Sequence, residues 1–253
     1  VSNPIVKPLN LDKILGEPKN RVALVGVELE GGWITLPPGI ERAEHDGSVF
    51  RDDSKTQRLY PHHGEIPIGP MQPSGLAKSM KKYYPAFVDK TCGMHIHMSF
   101  KNHLQYSWLT EEVYQETLLD YLTRWATKEG FPKDHHIWSR LAGKSIFCQK
   151  VFAPAAQLNW KRPKDHDQHR VGHRYTVVHF CGRQNTIEVR VLPMMDTVEQ
   201  ALRAVHLVID VTNACLISLA EPDRKVKSTV VLSKDNVYEE FLESRFTINE
   251  EFL

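Results

Sequence analysis

With 253 residues, 41% of them hydrophobic, the chain is long enough to bury one large core. Its 32 Lys+Arg against 31 Asp+Glu leave a formal charge of +1, which excludes the global basic field of a non-specific nucleic-acid binder. The four scattered cysteines, Cys92, Cys148, Cys181 and Cys215, form no C-x-x-C pair and fit a reducing, cytoplasmic setting.

Residues 1–21 lack periodicity and read as an irregular arm. Residues 22–30 (VALVGVELE) alternate as a strand that puts Glu28 and Glu30 on one face. Gly31-Gly32 is expected to end that strand and residues 33–36 to form a short partner, before the turn at Pro37-Pro38-Gly39. His45-Asp46-Gly47-Ser48 reads as a hairpin-type turn leading into Val49-Phe50. Residues 62–68 predict an edge strand, because Pro67 cannot donate to a ladder, and Glu65 sits there in an apolar frame. Residues 74–84 predict a short helix capped by Ser74 and stopped before Pro85.

In residues 93–99 (GMHIHMS) the alternation places His95 and His97 on one strand face and Met94, Ile96 and Met98 on the other. Residues 110–128 predict an amphipathic helix, with Thr110 as cap and a stripe of Val113, Leu118, Tyr121, Leu122 and Trp125. Residues 135–150 predict another, with Arg140 and Lys144 one turn apart on a solvated face. Residues 153–173 turn polar and basic, and read as a surface loop or as a basic lid over an anionic substrate. A strand over 173–180, a turn over 181–185 and a strand over 186–191 then make a hairpin carrying Glu188 and Arg190. Residues 196–219 predict a long helix whose apolar run is broken by His206, Asp210, Thr212 and Asn213, so no membrane segment is expected. Residues 221–253 form a charged C-terminal extension with a helical stretch at 236–245.

Three strands thus carry polar i, i+2 pairs inside apolar frames. Placed in one sheet, they pool Glu28, Glu30, His95, His97, Glu188 and Arg190 on one face. Carboxylates held that close repel, and their desolvation is unfavourable, so such a cluster predicts a compensating bound cation.

Gly26-Val27-Glu28-Leu29-Glu30, then Gly93-Met94-His95-Ile96-His97-Met98-Ser99, then Ile187-Glu188-Val189-Arg190 before a long helix resemble, in this order, the catalytic domain of glutamine synthetase. The closer resemblance is to the amidoligase family of the same carboxylate-amine ligase superfamily. It adds Asp46-Gly47-Ser48, Gly64-Glu65-Ile66 and Ser139-Arg140 as matching segments. The resemblance implies an α+β fold over 22–220: a curved antiparallel sheet, with helices on its convex face, whose concave face binds ATP with Mg²⁺ or Mn²⁺. By motif, Glu28, Glu30, Glu65, His95 and Glu188 are implied metal ligands, and His97 and Arg190 contacts to the phosphates. Arg140, Arg174, Asp46 and Ser48 are implied contacts to substrate or nucleotide, with Glu65 and Asp46 as candidate proton acceptors.

The implied reaction is ATP-dependent amide formation through an acyl phosphate, with a glutamate-like acid as the default small-molecule carboxylate. The amine acceptor is a small molecule, a peptide or a modified nucleobase. Two other readings use the same residues. A Zn²⁺ hydrolase would draw on the histidines with a glutamate. A non-catalytic binding protein would use pairs such as Glu188 with Arg190 as structural salt links.

Overall fold

A computed structural model describes residues 22–100, 109, 112–145, 148–149, 176–181 and 186–220. The expected N-terminal arm, the basic loop 153–173, Arg174 and the extension from 221 lie outside the described residues. The fold is α+β, built on a five-stranded antiparallel sheet. Its strands are β1 (Val22–Trp33), β2 (His62–Met71), β3 (Gly93–Phe100), β6 (Val178–Cys181) and β7 (Thr186–Pro193), in the spatial order β2-β1-β3-β7-β6. A separate hairpin joins β4 (Lys144–Ser145) and β5 (Cys148–Gln149). The helices are α1 (Ser54–Leu59), α2 (Leu76–Tyr83), α3 (Glu112–Lys128), α4 (Ile137–Leu141) and α5 (Val198–Ala220).

Register keeps the two faces of the sheet apart. Val25, Val27 and Leu29 of β1 stand opposite Met98, Ile96 and Met94 of β3, and Ile96 and Met98 stand opposite Val189 and Ile187 of β7. All of these are buried, with Leu118, Leu122 and Trp125 of α3 and Val205, Val208 and Leu216 of α5 in the same core. Each such side chain contributes about 2 kcal/mol by leaving water. Polar ties fix the helices: Arg203 of α5 grips Glu129, the residue after α3, with two 2.7 Å bonds, and Asn213 accepts from Val22 N–H at 2.9 Å. Among the described residues no helix is long and apolar enough to cross a membrane.

Several sequence expectations need correction. Gly31-Gly32 does not end the first strand. Gly31 and Gly32 pair with Gly64 and His63, and Gly32 N–H donates to Phe87, so β1 runs on to Trp33 and residues 34–36 form no partner strand. Val49-Phe50 is a buried turn, followed by α1, which Asp53 caps by accepting from Lys55 and Thr56 N–H. Ser74 lies in a 3-10 turn, and Gly75 takes the cap position of α2 without a side-chain bond. The helix foreseen over 135–150 shrinks to the five residues of α4, because bonds from Ala142 to Trp138 and from Gly143 to Arg140 close its last turn before the β4–β5 hairpin. Arg140 is accordingly buried, 3% exposed, and not on a solvated face with Lys144. Pro67 does lie on an edge strand, and cysteines 92, 148 and 215 are buried free thiols.

Candidate metal and nucleotide site

The polar face of the sheet gathers the residues that the alternation assigned to it. Glu28 pairs across β1–β3 with His95, while His97 pairs with Gly26 on one side and Glu188 on the other. Glu30 pairs across β1–β2 with Glu65. Glu28 sits between the two histidines, with His95 Nδ1 and His97 Nε2 each at 2.8 Å. His95 Nε2 lies 3.5 Å from Glu30 Oε1, and His95 Nδ1 lies 3.5 Å from Glu188 Oε1.

Two glycines make the crowded end possible. Gly64, at φ +136, lets Glu44 come close enough to exchange two backbone bonds with Glu65, which brings the 44–48 segment onto the sheet edge. A side chain at Gly93 would collide with His95 Nε2, Glu30 Oε2 and Arg140 Nη1, which converge there within 3.0–3.4 Å of the Cβ position. Gly93 N–H instead donates to Glu30 Oε2 at 2.5 Å, and Arg140 Nη1 donates to Leu192 O at 3.3 Å.

The outcome is a row of three ligand sets, each with donor atoms within 4.8 Å of one another: Glu28, His97 and Glu188; Glu28, Glu65 and His95; Glu30, Asp46 and Glu65. Glu28 and Glu65 are each shared by two sets. At the first end of the row a cavity of about 460 Å³ opens against Glu28 and His97, lined also by Gly26, Pro67, Ser99 and Thr186. At the other end stands the Arg140 guanidinium, whose pKa burial lowers against the opposing pull of Glu30.

The electrostatics divide the carboxylates. Burial alone raises Glu28, but bonds and charge from His95 and His97 outweigh it and hold its carboxyl well below the usual range. Glu188 follows the same logic: burial is overcome by the His179 bond and by the charges of His95, Arg190 and His97, and the group falls to about 2. Glu65 has burial plus the like charges of Glu28, Glu30 and Asp46, and rises to about 8. Glu30 rises too, chiefly by burial. Both histidines are raised, because the neighbouring carboxylates outweigh the effect of burial.

Nine sequence-derived site residues therefore meet on one face or at its end: Glu28, Glu30, Asp46, Glu65, His95, His97, Arg140, Glu188 and Arg190. Ser48 is present differently, since its N–H and hydroxyl both donate to Asp46 Oδ1, at 2.6 and 2.7 Å. Arg190 Nη1 donates to Glu188 Oε1, while its Nε is buried with no hydrogen-bond partner among the described residues. The sequence reading missed His179, which is fully buried on β6 opposite Glu188 with Nδ1 2.7 Å from Oε2. The signal was there: His179 and Glu188 face each other once the 181–185 turn is taken as a hairpin. Comparison with known proteins finds no matching family model, no matching curated relative and no matching solved structure.

Proposed function

We propose that the chain is an ATP- and Mg²⁺-dependent carboxylate-amine ligase of the glutamine synthetase-like type. The observation that carries this reading is the row of three carboxylate-rich ligand sets leading from a roughly 460 Å³ cavity to a buried arginine. Each set offers at most one histidine, so the donors are mainly hard oxygens, which suit Mg²⁺ or Mn²⁺ better than Zn²⁺. Glu65 at about 8 marks an excess of negative charge that a cation would relieve.

In this reading the cavity beside Gly26, Ser99 and Thr186 takes the nucleotide, with its phosphates directed along the row. Mg²⁺ or Mn²⁺ held by Glu28, Glu30, Glu65, His95 and Glu188 would supply positive charge against the phosphates. In this reading Arg190, whose side chain is 13% exposed beside Glu188, would donate to the transferred phosphoryl group. The substrate carboxylate oxygen attacks the terminal phosphorus, the bond to the leaving ADP breaks, and an acyl phosphate forms. The amine nitrogen then attacks the acyl carbon, phosphate departs, and Glu65 or Asp46 accepts the ammonium proton. Arg140 lies at the end away from the cavity, and this reading assigns it to the acid substrate. A glutamate-like acid, carrying a second carboxylate, is the class such a guanidinium would hold.

The direct test is Mg²⁺-dependent phosphate release from ATP with glutamate and a panel of amines, with hydroxylamine included to trap the acyl phosphate as a hydroxamate. Acid-dependent hydroxamate, lost in Arg190→Lys because an ammonium cannot reproduce the forked contact, is the expected result. Phosphate release that does not depend on the acid, or wild-type rates in the Lys variant, would overturn the assignment.

A further inference from the structure

In three carboxylates of the row a protein donor holds one particular oxygen. Gly93 N–H takes Glu30 Oε2, while Glu30 Oε1 faces His95. The Ser48 N–H and hydroxyl take Asp46 Oδ1. His179 Nδ1 takes Glu188 Oε2, while Glu188 Oε1 accepts from Arg190 Nη1 and faces His95 at 3.5 Å and His97 at 4.0 Å. Glu28 differs, because its two oxygens lie against His95 and His97, which are themselves candidate ligands.

The first two anchors include backbone N–H groups, and the chain path sets them. His179 acts through its side chain alone, from a neighbouring strand. Its position follows from register: β6 and β7 pair antiparallel, with Val178, His179, Phe180 and Cys181 opposite Val189, Glu188, Ile187 and Thr186. His179 and Glu188 therefore share the polar face of a sheet whose alternate residues, such as Val178 and Val189, go into the core. A carboxylate can only accept, so the ring nitrogen 2.7 Å away carries the proton whatever the charge of the imidazole.

We infer that His179 is a positioning residue for cation binding. It holds Glu188 Oε2 back, so that Oε1, which also accepts from Arg190, is the oxygen presented to the ligand set formed with Glu28 and His97. The inference rests on the metal-binding part of the function proposed above and adds a residue to it. Without the imidazole, Oε2 loses its 2.7 Å anchor, and the carboxylate can turn about its last torsion and offer that oxygen to the cation while Arg190 stays on Oε1. Outer partners of this kind are worth about 10–100-fold in metal affinity.

The experiment is calorimetric titration of Mn²⁺ alone into the full chain, with wild type, His179→Leu, His179→Gln and His179→Asn, each checked by thermal unfolding. Asparagine keeps a donor near the Nδ1 position, whereas glutamine moves it outward and leucine removes it. We expect Leu and Gln to weaken Mn²⁺ binding about 10–100-fold and Asn to stay within a few-fold of wild type. In a Glu188→Gln background, His179→Gln should add nothing. If His179→Leu proves unstable, the Gln and Asn pair carries the comparison at equal polarity. Wild-type affinity in the Gln variant, or effects of His179→Gln and Glu188→Gln that multiply, would overturn the role of His179 and leave the metal site standing. Absence of Mn²⁺ binding by the wild type would overturn both.

Discussion

Glu65 stands directly opposite Glu30 across the β1–β2 pair, with an oxygen of Asp46 within the same 4.8 Å cluster. Burial and these like charges raise the Glu65 carboxyl to about 8, so the folded protein binds a proton there more tightly than the unfolded chain does. Stability from this group is full below the ordinary carboxylate value of about 4.3 and is lost as pH rises toward 8. Glu65→Gln should remove that loss and raise the unfolding temperature above pH 8 by roughly 3 °C or more. Thermal unfolding in a pH series without divalent cations checks this, and parallel curves for variant and wild type would contradict it.

Divalent cations compete with the same proton. Mg²⁺ or Mn²⁺ affinity should therefore climb by up to about tenfold per pH unit through neutrality, then level off above the Glu65 value of about 8. Calorimetry at several pH values reads this, and a flat profile would separate Glu65 from the cation sites.

Glu28 and Glu188 should behave differently on truncation. The Glu28 side chain is 24% exposed beside the cavity, so although Glu28→Ala removes the partner of His95 and His97 it should cost less stability while abolishing ATP turnover. Glu188 is 2% exposed and accepts from both His179 and Arg190, so Glu188→Ala breaks a nearly buried ion pair with Arg190 and should lose about 3 kcal/mol. Chemical denaturation of the pair of variants tests the contrast, and equal stabilities would contradict it.

Gly26 lines the cavity, and a Cβ there would lie 3.4 Å from Ile68 O and 3.7 Å from His97 Cβ. The added methyls of Gly26→Val must project into the remaining space. Nucleotide affinity should fall about tenfold or more while Mn²⁺ affinity stays near wild type. Loss of both together would mean that the cavity and the cation row are not separable.

The strands and their faces were legible because an antiparallel sheet with one apolar face imposes period two on the sequence. Glu28 and Glu30, His95 and His97, and Glu188 stand out against Val, Ile and Met for that reason. The depth of Arg140 was not legible. Its helix is short, and its neighbours at Leu192, Gly93 and Glu30 come from β7, β3 and β1. The union of Asp46 with Glu65 depends on the Glu44 backbone pairing, a long-range contact that no local pattern encodes. The continuation of β1 through Gly31-Gly32 also escaped local reading, because paired neighbours on both sides override weak strand propensity.

The polar sheet face is proposed to hold cations that in turn hold nucleotide phosphates. Calorimetric titration of a non-hydrolysable ATP analogue with Mg²⁺, with Mn²⁺ and with neither tests it most directly. Binding that requires the cation and disappears in Glu28→Ala is the predicted result. Cation-independent binding, or no nucleotide binding by the folded protein alongside tight stoichiometric Zn²⁺, would contradict it.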